Sequence, residues 1–244
     1  MSKLDPALPT AVLPPRLSIL HLMLLTFCVA VALTFIRSVN RNAENLPGEI
    51  MGIYWASAVI FSVTTGAAIG GTLVLGLHAV RIRRMPAWQP GHWLVIVTGV
   101  TTVLTIATQN VLEWTEDNSE VVNVARVSIA LLECLAFSAV AIAYWGQQRW
   151  HAFFWGLAIL NGLQTVFHAV LAFDPEPEHL PWTLNSISQY GMGLLPFWLI
   201  VVCIRDRLVG SRRDWLHWLG VALVFSWGIQ MAIWTVGLRL LQGF

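Results

Sequence analysis

Residues 50–80 run for 31 positions without an Asp, Glu, Lys or Arg. About 20 apolar residues carry an α-helix across ~30 Å of hydrocarbon, so this run is longer than one perpendicular crossing requires. It should tilt, kink or extend past the interface. Further apolar runs cover residues 17–36, 93–112, 127–145, 150–173, 182–204 and 215–238, and among these Glu133 alone is charged. In lipid each backbone amide needs an internal partner, and barrel strands would be shorter and would alternate in polarity. The expected fold is therefore all-α: a polytopic bundle of seven transmembrane helices over residues 17–240. Residues 1–16, with Pro6, Pro9, Pro14 and Pro15, read as a short tail.

Composition agrees with lipid as the solvent. Hydrophobic residues make up 57% of the 244 positions and charged residues 11%, against roughly 25% charged in an ordinary soluble domain. That excludes a disordered chain, a basic nucleic-acid-binding domain and a typical soluble enzyme. Cys28, Cys134 and Cys203 each sit in an apolar run and form no CxxC pair, so they read as small buried residues. No internal repeat suggests an inverted-repeat transporter. Arg16, the apolar stretch after it and Ala30-Val31-Ala32 have the pattern of a cleavable signal peptide. The stretch nevertheless continues to Ile36, long enough to span, and the expectation is a retained helix.

Basic residues orient the bundle. With the N-terminus in the cytoplasm, inner segments hold Lys3, Arg16, Arg81, Arg83, Arg84, Arg149, Arg205, Arg207, Arg212 and Arg213, ten in all. Outer segments hold four: Arg37, Arg41, Arg126 and Arg239. The positive-inside rule then predicts N-in, C-out in a bacterial cytoplasmic (inner) membrane. Tryptophans near the helix ends, such as Trp88, Trp93, Trp150, Trp182 and Trp215, suit the headgroup layer.

The opening helix, RLSILHLMLLTFCVAVALTFIR, resembles the first helix of uncharacterised multi-pass bacterial membrane proteins; the resemblance covers about a tenth of the chain and implies no activity. Seven helices invite comparison with rhodopsins, but Lys3 is the only lysine and the last helix has none to form a retinal Schiff base. The third subunit of haem-copper oxidases is similar in length, helix count and orientation, but its motifs find no residue-by-residue match here. HExxH, GxSxG and a phosphate-binding glycine loop are all missing from the sequence.

Polar residues inside the apolar runs carry what functional signal there is. In the fifth run Asn161, Gln164 and His168, at i, i+3 and i+7, share one helix face. The sixth run offers Asn185 and Gln189, the third Gln109 and Asn110 behind a threonine row (Thr98, Thr101, Thr105, Thr108), and the seventh Ser226 and Gln230. In the fourth, Glu133 is the only acid well inside a predicted helix. An ionised carboxylate is costly in hydrocarbon, so it should be paired or protonated, with His168 or a glutamine as its partner. These residues serve either as hydrogen-bonding glue between helices or as the lining of an outward cavity for a small polar solute or protons.

Other signals are weaker. His21, His78, His92, His151 and His217 lie near the inner ends of their helices; they suit an interfacial belt, with axial ligation of haem as the rival reading. The loop FDPEPEHLPW carries Asp174, Glu176, Glu178 and His179 among prolines and reads as a stiff turn rather than a metal site. Gly66 and Gly70 form a GxxxG pair suited to close helix packing, within the bundle or against a second copy or another membrane subunit. The function expected first is that of a non-enzymatic accessory subunit or small sensor with no cofactor. A carrier using the polar cluster and a haem-bearing electron carrier are the alternatives.

Overall fold

The computed structural model describes residues 17–39, 48–82, 88–114, 119–173, 179–211 and 213–241, with side-chain detail lacking at some helix ends. Over these residues the chain forms seven α-helices and no strand. They are α1 (Ile19–Val39), α2 (Gly48–Ile82), α3 (Pro90–Trp114), α4 (Ser119–Ala143), α5 (Gln148–Phe173), α6 (His179–Leu208) and α7 (Trp215–Leu241). Helices α2 to α7 are long and apolar enough to cross a membrane; α1 adds the shorter apolar stretch Ile19–Phe35. The expected all-α architecture is observed.

The ends of several helices run beyond their apolar runs. The largest difference is at α4, which begins at Ser119 rather than at residue 127. Glu120, Asn123 and Arg126 are helical although they are polar, because the turns outside hydrocarbon need no apolar face. This extension changes the position of Glu133. Within the apolar span Val122–Ala143 it sits about 15 Å from either end at 1.5 Å per residue, close to the middle.

Packing order differs from chain order. Helices α3 to α7 close a five-membered ring, in which α3 touches α4 and α7 touches both α6 and α3. Helix α2 packs against α3 and α7 on the outside of this ring, and α1 packs against α2. The main core fills the ring with Phe137, Trp150, Phe153, Phe154, Leu157 and Leu199, each almost fully buried. A second core, with Ala68, Val74, Leu75, Val95 and Leu216, joins α2 to the ring. The outward surface is apolar: Leu20, Met23, Phe27, Leu77, Ile142, Ile159, Leu194 and Phe197 are all exposed. Such a belt is stable against lipid and costly against water.

Small residues set the closest approaches. A Cβ placed on Gly66 would fall 2.4 Å from the Val29 Cα of α1, and one on Gly70 would meet the Leu25 side chain at 3.0 Å. The GxxxG pair therefore seats α1 within the same chain. At the junction of α3 and α7, a Cβ on Gly220 would lie 2.0 Å from the Gly91 carbonyl oxygen, and one on Gly91 would lie 2.1 Å from that of His217. Only glycine allows the two backbones to meet so closely.

A paired substitution tests the α1 seat. Gly66→Val should lower stability by about 1–3 kcal/mol, because α1 must shift away from α2. Gly76→Ala, which has nothing within 4 Å of its added Cβ, should be neutral or stabilising by up to about 1 kcal/mol through helix propensity. Melting of the detergent-solubilised variants checks both.

Candidate functional site

Seven of the polar residues singled out from the sequence line one cavity of about 460 Å³. Glu133 comes from α4, Asn161, Gln164 and His168 from α5, Asn185 and Gln189 from α6, and Gln230 from α7. The side chains of Gln109 and Asn110 lie outside the described residues. The remaining wall is apolar: Phe167, Met192, Leu195, Val224, Trp227 and Met231. The cavity occupies the half of the bundle where α5 ends and α6 begins. Exposed Gln189 and Met231 carry it to the molecular surface.

Glue and lining turn out to be the same residues. The Asn185 side-chain oxygen accepts from Gln164 Nε2 across the α5–α6 contact at 3.1 Å and from Gln189 Nε2 at 3.3 Å. Ser188 bridges to the Leu160 carbonyl at 3.1 Å, and Asn161 donates to the Leu157 carbonyl of its own helix at 3.0 Å. The Gln164–Asn185 and Ser188–Leu160 bonds hold α5 and α6 together, and the other two fix the amides on their own helices.

Glu133 and His168 behave differently from the amides. No hydrogen bond or ion pair joins them, so the expected direct pair is not formed. His168 Nδ1 is buried with no hydrogen-bond partner, and Arg126, itself exposed, lies within electrostatic reach of this ring. The Thr101 hydroxyl of the threonine row neighbours the Glu133 carboxyl. That hydroxyl also faces the Val97 carbonyl at 2.9 Å and the Thr98 carbonyl at 3.3 Å, so its single proton is shared among three acceptors. Next in the chain to the lining residue Leu195, α6 carries a proline. Pro196 of α6 cannot donate to the Met192 carbonyl one turn back, and its ring fits against Gly228 of α7, where a Cβ would sit 2.2 Å from it.

The opposite end of the bundle carries a polar junction that the sequence reading did not assemble. Asp214 caps α7 by accepting from the His217 N–H at 2.9 Å. Its carboxylate also meets His92 Nε2 of α3 at 2.8 Å. His92 Nδ1 accepts from the Gln89 N–H, the Gln89 side chain accepts from the Asp214 N–H, and His217 Nδ1 accepts from the Gly91 N–H at 2.9 Å. On α1, Ser18 and His21 make the same reciprocal cap. His21, His92 and His217 are thus helix-end fasteners, each three residues after the position that starts its helix; His151 Nδ1 instead meets the Ala141 carbonyl at 2.8 Å, and His78 Nε2 is buried without a hydrogen-bond partner. Haem ligation by His92 would draw on ring nitrogens already bonded here. Among the described residues no group of three or more His, Cys, Asp or Glu side chains converges as a metal ligand set. Asp174, Glu176 and Glu178 lie outside the described residues.

Nearby, Asp206 receives Arg213 at 2.7 Å and the Trp150 indole N–H at 3.4 Å. Gly210, at φ +76°, ends α6 with Ser211 N–H bonded back to the Asp206 carbonyl. In the α4–α5 turn the Tyr144 hydroxyl donates to the Trp88 carbonyl. Burial pushes this phenol up to about 12, so it remains a donor throughout the physiological range. All three cysteines are free thiols.

No family model, curated protein or solved structure matches this chain. Chemistry and geometry therefore carry the functional argument alone.

The junction has a pH signature. Burial opposes ionisation of Asp214, but the hydrogen bonds from His92 and the His217 backbone outweigh it and hold the carboxyl below its ordinary value. Its stabilisation is present above the unfolded value of about 3.9 and is lost as pH falls through the lower folded value. Asp214→Asn should flatten this acid limb in melting curves taken across pH. Asp214→Ala should in addition cost about 1–2 kcal/mol at neutral pH through the lost cap.

Proposed function

We propose that the chain is a non-enzymatic small-molecule-binding membrane protein whose ligand site is the cavity between α4, α5, α6 and α7. One observation supports this reading above the others: seven polar side chains from four helices converge on one space of about 460 Å³ in an otherwise apolar bundle. That volume falls within the range of about 300–1,000 Å³ found for ligand pockets. Polar groups in hydrocarbon are costly, and packing alone asks only that they pair in place.

The carrier reading draws support from the Pro196–Gly228 contact, whose chain neighbours Leu195 and Trp227 line the cavity. A proline interrupts the helix ladder there and provides a point at which α6 can bend. The fastened junction of α3 and α7 at the other end fits a carrier closed on that side. It equally suits a sensor that registers a ligand without passing it, which is the second reading. In either case we propose a bacterial cytoplasmic membrane with the N-terminus inside, supported by the ten-to-four bias of Lys and Arg.

A single cysteine at position 164, in a chain with Cys28, Cys134 and Cys203 replaced by alanine, tests the cavity. A membrane-impermeant maleimide should label it in sealed vesicles from the side on which α5 ends. Absence of labelling from both sides overturns the reading. Carrier and sensor then separate in proteoliposomes: uptake of a bound solute that Gln164→Leu reduces by at least about tenfold supports the carrier.

A further inference from the structure

Taking the cavity to be a ligand site, we propose that its occupant is a protonated amine on an apolar body, with the ammonium held by Glu133. Charge is the first argument. Glu133 lines the cavity near the middle of the α4 span, while among the described residues no Lys or Arg lines it. Neither ion pair in the described structure involves Glu133; both form at the opposite end of the bundle. Thr101 brings one hydroxyl proton shared with two backbone carbonyls. A carboxyl so placed requires a proton or a cation as its partner. An anionic ligand would add a second negative charge to an ionised Glu133 in low dielectric, and a neutral polyol would bring no charge to meet it.

The other walls agree in chemistry. An ammonium offers three N–H donors, and the His168 ring and the Gln230 amide share the cavity lining with Glu133. Phe167 and Trp227 present ring surface, which attracts a cation and also packs against hydrocarbon. Met192 and Met231 complete an adaptable apolar wall.

Two probes of one shape make the test: 1-adamantylamine, cationic at neutral pH, and 1-adamantanol, its uncharged twin. Equilibrium binding is measured on the full chain in phosphatidylcholine nanodiscs, with empty discs subtracted. The amine should bind saturably and more tightly than the alcohol. Glu133→Gln should weaken the amine by about tenfold or more and leave the alcohol within about twofold, and Glu133→Asp should recover part of the loss. Equal binding of amine and alcohol, unaffected by Glu133→Gln but lost in Gln164→Leu, overturns the amine proposal and leaves the cavity reading standing. Binding of neither probe overturns the amine proposal, and the labelling test above then judges the cavity by itself. Melting curves of each variant confirm folding. Discs that include phosphatidylethanolamine identify the natural source of the ammonium: competition with the probe points to a lipid headgroup, and unchanged binding to a free amine. Both results presuppose the ammonium site and support it.

Discussion

Hydrocarbon offers no hydrogen bonds, and nearly every feature of this structure follows from that. Helix is the only backbone that satisfies itself in such a solvent, which leaves helix ends and embedded polar side chains as the groups in need of partners. The ends of α3 and α7 satisfy each other. Asp214, His92, His217 and Gln89 exchange bonds across the junction, and Gly91 and Gly220 allow the backbones to approach closely enough for this. That junction closes the ring of α3 to α7, and the ring encloses the cavity.

The cavity is the complementary case. Its amides pair with each other across α5 and α6, but Glu133 and His168 do not pair. A bundle selected only for packing gains nothing from a carboxyl at mid-span that makes no ion pair among the described residues. Apolar side chains of similar volume would pack there at lower cost. The two ends thus differ in kind: one spends its polar groups on each other, and the other presents them to a space. Such a division suits a protein in which one end is held fixed while the other meets a ligand.

Much of the site was legible before any coordinates. The i, i+3, i+7 spacing of Asn161, Gln164 and His168 put them on one face. The start of α4 was not legible, because polar residues beyond the hydrocarbon carry no periodic signal. The place of Glu133 near the middle of its span was therefore not legible either. The histidines near the helix ends were visible as a group, but His92 and His217 were not visible as fasteners. Their partners, Asp214 on one helix and Gln89 on another, lie more than a hundred residues apart in the chain.

What the sequence determined alone is the solvent and the repertoire: uncharged runs longer than a bilayer is thick, helix as their only conformation, and a polar set sharing a helix face. Local spacing and transfer free energy suffice for these, since each can be evaluated one segment at a time. Tertiary structure alone decided which helices meet. It placed α7 beside α3, seated α1 on the glycines of α2, and gathered four separate helix faces around one space. Those outcomes depend on shape complementarity between distant segments, where a glycine's missing methyl or a carboxyl's reach counts for more than any periodicity along the chain.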